Sequence, residues 1–493
     1  MRRRARRSGA GAYLGGLPVL ALSAYLERAT VRWNFSDSIT SSSQSASESR
    51  EMKRALTLLL VFCFLLAGRP LLGYSVLSHE EVIDLAWKSD ILPALLKRFP
   101  QATPEELKQA HAFAYGGSVI QDVGYYPLGN KKFTDILHYV RTGDFVAWML
   151  RDARNVQEYA FALGALSHYA ADNFGHPAIN LSVPVEYPRL RARYGDWIPY
   201  ETSHDAHLRT EFSFDVLEVA KHRYNSLQYH DFIGFQVSED LLEHAFVDTY
   251  GISLDKMLRF DDLTLGTFRF AVGRVVPEMT EVALATNRPR LEHEYNNRAK
   301  QDFLYHLSRA DYNRQFGTRY RRPGIFARVL GFLIKLVPFG PAKILGYRNP
   351  KPETEDLYFR SMDHVLQEYH LLVKQVAAGD LRIPNRNLDT GLLTREGEYR
   401  LADQTYADLL RRLDRDHFAH LTPAVRANIL QYFAAGDPPN GALKPAEWNR
   451  TKQALALLRE ATAGPPVNFQ PAGERPSGSS PSAPARIFPK CCQ

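Results

Sequence analysis

The sequence predicts an all-α protein, and two observations carry the prediction. Apolar residues recur at helical spacing in run after run, several of them opened by capping residues. No run alternates apolar and polar residues as a half-buried strand would, and no internal repeat is visible. At 493 residues, 45% hydrophobic and 23% charged, the chain has the composition of a soluble globular protein large enough for two or three domains.

Residues 1–51 are rich in Arg, then in Ser, and read as a disordered leader or a wrongly extended reading frame. Met52 opens "MKRALTLLLVFCFLLAGRPLLGYS": Lys53 and Arg54, an apolar run of about thirteen residues, then Gly and Pro. That is the pattern of a secretory signal over residues 52–73, too short to span a bilayer as a helix. The expectation is an exported protein, periplasmic or secreted. The net charge of +7 resides in these two segments, and the rest of the chain carries equal numbers of acidic and basic residues. No stable nucleic-acid partner is therefore expected, since such binding rests on Lys and Arg neutralising phosphates. Of the three cysteines, Cys63 lies in the signal, and Cys491 and Cys492 lie at the C-terminal end. The body of the chain must be held by its core or by metal rather than by disulfides.

Four helical runs follow the signal. Ser78 and Glu81 are spaced as a capping box opening "HEEVIDLAWKSDILPALLKRF". "TPEELKQAHAFAYGGSVIQD" opens on Thr103 and Pro104 and is expected to end near Asp122. "NVQEYAFALGALSHYAADNF" is apolar nearly all round and predicts a central, buried helix. "HDAHLRTEFSFDVLEVAKHRY" predicts another. Residues 301–465 read as a further helical region of unassigned role with Pro- and Gly-rich joints. Within it, "GIFARVLGFLIKLVPFG" suits a buried helix or a membrane-docking face. Residues 466–493, rich in Pro, Ser and Gly, predict a disordered tail.

Ten of the sixteen histidines fall between residues 79 and 244, and their spacing matters more than their number. His168 and Asp172 stand four apart, so both project from one helix face. His207 and Glu211 repeat that arrangement. His176 follows Gly175, which is expected to turn the chain back toward the first pair, and Asp122, His138 and His79 lie upstream. An unpaired carboxylate on so apolar a helix costs several kcal/mol unless a cation or a set of donors meets it. Imidazole and carboxylate without thiolate suit zinc at a catalytic site.

The order Tyr74, His79, Asp122, His138, His168-xxx-Asp172, His176 and His207-xxx-Glu211 resembles the zinc-dependent phospholipase C family. The all-helical fold of that family is shared with the single-strand-specific zinc nucleases. "GHPAIN" also resembles the family's His-Pro-Ala-Asn segment. The resemblance covers residues 74–220 and implies a catalytic domain over residues 74–300 with three zinc ions. Asp122, His138, His168 and Asp172 would hold the first, and His176, His207 and Glu211 the second. His79, Asp172 as a bridge, and the amino group and carbonyl of Tyr74 would hold the third. That role requires cleavage between Gly73 and Tyr74, and Tyr stands here where the family has Trp. The long insert before His207 contains Glu201 and His204, either of which could take its place.

The implied activity is hydrolysis of a phospholipid to diacylglycerol and a phosphorylated head group, with Asp122 also orienting or deprotonating the attacking water. The implied partner is a phospholipid or membrane surface. The alternatives are a single-strand nuclease or nucleotidase of the same fold, or a non-catalytic surface protein stabilised by zinc. No run of basic residues interleaved with aromatics is expected near the ligands, which speaks against a nucleic-acid groove. Tyr125, Tyr126 and Tyr139 could stack a base, cage a choline cation, or belong to the core.

Overall fold

Helices form where the apolar spacing places them. The computed structural model describes residues 76–126, 129–220, 236–258, 350–436 and 441–466. Helix α1, Val76–Ala86, passes through one π-helical turn, Trp87–Ile91, into α2, Leu92–Arg98. The expected capping box at Ser78 does not form. Ser78 lies inside α1, and its hydroxyl shares a hydrogen bond of 2.7 Å with the hydroxyl of Tyr358, because burial beneath a later helix demands a partner there.

Helix α3, Pro104–Ser118, opens with a true capping box: the Thr103 hydroxyl accepts the Glu106 N–H while the Glu106 carboxylate accepts the Thr103 N–H. It stops at Ser118, short of Asp122, which sits instead on a 3₁₀ turn, Ile120–Tyr125. After α4, Lys131–Tyr139, and α5, Thr142–Asp152, comes the long α6, Val156–Glu186, capped by the side chain of Asn155 on the Glu158 N–H. The turn expected at Gly175 is absent, and α6 runs on through Pro177 and Pro184. A proline removes the hydrogen bond to the carbonyl four residues earlier and crowds that carbonyl with its ring. For Pro177 that carbonyl belongs to Asn173, and the backbone of Gly391 packs against it so closely that a Cβ there would lie 2.3 Å away.

A short exposed helix, α7, Pro188–Tyr194, leads to α8, His204–Ala220, and α9, Glu239–Tyr250. The C-terminal region contributes α10, Pro352–Ala377, α11, Arg400–Arg415, α12, Pro423–Tyr432, and α13, Pro445–Glu460. Among the described residues no strand forms, only an isolated bridge between Arg386 and Leu393. No helix among them is long and apolar enough to cross a membrane. The segments read as a leader and a signal, residues 1–73, together with Tyr74, the apolar segment 324–340 and the residues beyond 466, lie outside the described residues.

Helix α6 is the axis of the fold, and α3 and α10 make its most extensive contacts. The seam with α3 is built from small residues: Ala110, Ala114 and Gly117 on one side, Gly164 and Ala165 on the other, all buried. The two backbones touch there, since a Cβ on Gly117 would lie 1.9 Å from the Phe161 carbonyl oxygen and one on Gly164 would lie 2.1 Å from that of Ala114. Helix α10 closes another side, with the Tyr369 hydroxyl donating to the Leu163 carbonyl at 3.0 Å and Tyr358 stacked on Phe214 of α8.

Gly164→Ala tests the seam. An added methyl raises helix propensity by about 1 kcal/mol, but forcing the two backbones apart costs about 1–3 kcal/mol. The expected result is a net loss of stability, read as a lower denaturant midpoint.

Candidate metal centre

Five elements carry the cluster. His79 comes from α1, Asp122 from the 3₁₀ turn, His138 from α4, and His207 and Glu211 from α8. His168, Asp172 and His176 occupy successive turns of one face of α6, because the helix continues where a turn was expected. None of these eight residues is more than 2% exposed. The glycine seam sets the approach of the first group: the end of α3 meets α6 so closely that the Ser118 carbonyl reaches the ring of His168, and the Gln121 amide donates to the Ala165 carbonyl at 3.1 Å. Asp122, one residue on, is thereby held beside α6.

Asp172 is the hub. Its Oδ2 lies 3.0 Å from His168 Nε2 and 3.3 Å from His138 Nε2, and its Oδ1 lies 3.5 Å from Nε2 of both His79 and His176. Asp122 Oδ1 lies 3.3 Å from His138 Nε2. On the α8 side, Glu211 Oε1 lies 2.8 Å from His207 Nε2 and 3.5 Å from His176 Nε2. Three sets of donor atoms converge closely enough to hold a cation: His79 with Asp122 and His168, His138 with His168 and Asp172, and His176 with His207 and Glu211.

The donor chemistry fits a metal. Nδ1 of His138 and Nδ1 of His168 each lie 2.9 Å from a backbone carbonyl, of Thr134 and of Ser118. A proton on Nδ1 satisfies that carbonyl and turns the lone pair of Nε2 inward, toward carboxylate oxygens that also offer only lone pairs. Both oxygens of Asp172, both of Glu211, Asp122 Oδ1 and His168 Nε2 find no hydrogen bond among the described residues. No Lys or Arg among those residues pairs with any of the three carboxylates. Ligands at zinc distances of about 2.0–2.1 Å in tetrahedral array stand about 3.3 Å apart, which matches these separations.

Electrostatics lead to the same requirement. Burial holds His79 neutral, and burial lowers His207 to about 4 although Asp389 and Asp172 oppose it. Burial also works against a charge on His138, but Asp122 and Asp172 outweigh it and raise its pKa well above the usual value; His168 is raised in the same way, chiefly by Asp172. Despite its burial, Asp172 is held well below the carboxylate range by His168 and His176, whereas burial pushes Glu211 well above it. Protons alone balance this cluster only by loading His138, His168 and Glu211. A divalent cation does so with every ligand in its binding form.

The structure thus brings together every proposed ligand except Tyr74, which lies outside the described residues. Glu201 and His204, the alternatives to His207, are turned elsewhere: His204 packs its ring on Tyr200 at 4.3 Å, and Glu201 accepts the Leu401 N–H at 3.3 Å. Tyr139 is fully buried and its hydroxyl donates to Asp389, while Tyr125 and Tyr126 are also buried. Sequence reasoning missed Asp389, which stands 3.7 Å from His176. Nothing in "NRNLDTGLL" has ligand spacing, and the residue is far along the chain from Glu211.

Residues 78–258 match the family model described as zinc dependent phospholipase C. The matched segment spans all eight described candidate ligands and bears out the resemblance seen in the sequence, although it covers less than half of the chain. No curated protein and no solved structure matches the chain.

Asp172→Asn is expected to weaken zinc binding by more than about 100-fold, since changing even the partners that orient a ligand costs 10–100-fold. Metal content after equilibrium dialysis checks it, and retention of the full zinc content would remove Asp172 from the hub.

Proposed function

Taking residues 78–258 as a zinc-dependent phospholipase C domain, we propose that this protein is an exported zinc-dependent phosphodiester hydrolase that cleaves phospholipid to diacylglycerol and a phosphorylated head group. The observation that carries the reading is the buried array of five histidines and three carboxylates sharing Asp172. Asp122, His138, His168 and Asp172 would hold one zinc, His176, His207 and Glu211 a second, and His79 with Asp172 and the terminus at Tyr74 a third. Bound zinc supplies positive charge for the phosphodiester oxygens and acidifies water to a hydroxide available near neutral pH.

The residues of the chain do the rest. Water oxygen attacks phosphorus, the bond from phosphorus to the glycerol oxygen breaks, and that oxygen leaves with the proton given up by the attacking water. Asp122, on a short turn between α3 and α4, is the carboxylate suited to orient the water and accept its proton, because it is not committed to an i,i+4 histidine on its own helix. Carbonyl bonds to His138 and His168 keep the Nε2 lone pairs directed inward throughout.

The test is turnover of phosphatidylcholine and of single-stranded RNA, side by side, on protein beginning at Tyr74, with and without a chelator. Chelator-sensitive release of diacylglycerol is the expected result. Release of nucleotides with lipid untouched would overturn the lipid reading.

One observation bears on the second reading, a single-strand nuclease, as well as on the first. The expectation that no basic run interleaved with aromatics lies near the ligands does not hold. Arg189, Arg191 and Arg193 stand with Tyr194 and Trp197 on the exposed stretch that follows α6, and the Ile198 N–H ties that stretch to the Asn180 carbonyl one turn beyond His176. Such a surface suits anionic lipid head groups or the phosphates of a single strand. Reversing all three charges to Glu is expected to weaken binding to anionic vesicles, measured by co-sedimentation, with turnover of a soluble short-chain substrate unchanged. A loss confined to RNA binding would favour the nuclease.

A further inference from the structure

The loop between α10 and α11 reaches the metal centre from outside the segment matched by the family. Its backbone is tied to the elements that carry ligands. The Leu388 N–H donates to the carbonyl of His138 at 3.0 Å, the Asn180 side chain of α6 donates to the Asp389 carbonyl at 2.7 Å, and the Tyr169 hydroxyl of α6 donates to the Pro384 carbonyl at 2.7 Å. On α5, the Thr142 hydroxyl accepts the Arg386 N–H at 2.9 Å, and the Asp144 N–H donates to the Asn385 side chain at 3.0 Å. Gly391, at φ +72°, adopts the left-handed conformation and lies flat on the Asn173 carbonyl that Pro177 leaves without a helical donor.

These ties place one carboxylate. Asp389 is 2% exposed, and its Oδ1 lies 3.7 Å from His176 Nδ1, on the side of the ring away from Glu211 and Asp172. Its Oδ2 accepts the hydroxyls of Tyr139 at 2.7 Å and Tyr399 at 2.5 Å, and its own N–H donates to the Asn387 side chain. Two hydroxyl donors on one oxygen fix the carboxylate and leave the other oxygen facing the imidazole. His138 and His168 direct Nδ1 at backbone carbonyls; His176 alone of these three has a carboxylate there.

We propose that Asp389 is a positioning residue of the metal centre: it orients His176 and strengthens its Nε2 as a ligand, so the C-terminal region completes a site whose ligands all lie in the family segment. The inference rests on the metal reading above. A separation of 3.7 Å is closed by a small approach of the ring. A carboxylate behind a ligating histidine fixes its tautomer and raises its basicity, and losing such a partner costs 10–100-fold in metal affinity.

The experiment measures zinc stoichiometry and affinity by competition with a chromophoric chelator on the protein, its Asp389→Asn variant, the His176→Ala variant and the double variant. Asp389→Asn is expected to weaken one zinc equivalent by 10–100-fold, with the helical circular dichroism retained and the other equivalents unchanged. In the His176→Ala background the same change should add nothing, which a merely structural role would not produce. Unchanged affinity in Asp389→Asn, or an equal loss in both backgrounds, overturns the proposal. If Asp389→Asn does not fold, Tyr399→Phe carries the test, since it removes one hydroxyl and leaves the carboxylate: altered affinity of the same single equivalent supports the proposal, and unaltered affinity overturns it. Failure of the unaltered protein to bind zinc would instead remove the metal reading itself.

Discussion

Everything in this fold answers to the burial of Asp172. A carboxylate at the centre of a helix that is apolar nearly all round is stable only where positive charge meets it. The structure surrounds it with four histidine Nε2 atoms within 3.5 Å, drawn from α1, α4 and α6 itself, a donor set that a cation would complete. Each of those rings must be delivered by a helix packed at short range, so the requirement of one side chain becomes a requirement on the assembly of the whole bundle. Asp122 and Glu211 extend the same demand to the 3₁₀ turn and to α8.

Close helix packing is what satisfies it. Gly117 and Gly164 let the α3 and α6 backbones touch, and this brings the Ser118 carbonyl within reach of His168 Nδ1. The same contact that fills the core with backbone and small side chains also chooses the tautomer of a ligand. Packing and chemistry are coupled at this seam, since a larger residue would both strain the core and move a carbonyl that directs a lone pair. The hydroxyls of Tyr358 and Tyr369 tie α10 to α1 and α6 from another side, so the C-terminal region is part of the frame around the centre.

The surroundings of the centre are rich in tyrosine. Tyr125, Tyr139, Tyr200 and Tyr399 are all buried, and burial raises the pKa of each hydroxyl well above its usual value. They stay protonated across the physiological range and keep a proton to donate. Tyr139 and Tyr399 spend that capacity on Asp389, which is how a second buried acid beside the cluster is tolerated without a Lys or Arg partner among the described residues. At the outer edge, the basic and aromatic stretch after α6 gives the molecule a face suited to an anionic surface.

The all-α class, the buried axis at α6 and the ligand candidates were legible in the sequence, because helical spacing is local: His168 and Asp172, or His207 and Glu211, share a face wherever their helix lies. Residue order then carried the resemblance to zinc-dependent phospholipase C. Three local readings failed for reasons of context. Ser78 bonds Tyr358 instead of capping α1, α3 stops before Asp122, and α6 passes through Gly175 and Pro177, with a loop more than 200 residues away packed against the carbonyl that the proline strands. The sequence by itself determined which chemistry the chain could assemble, since donor types and i,i+4 pairs are properties of short segments. Only the tertiary structure decided that Ser118 directs the ring of His168, that His207 rather than His204 faces Glu211, and that Asp389 stands behind His176. Those are contacts between segments distant in the chain, whose distances are set by how helices pack and not by the spacing of residues along any one of them.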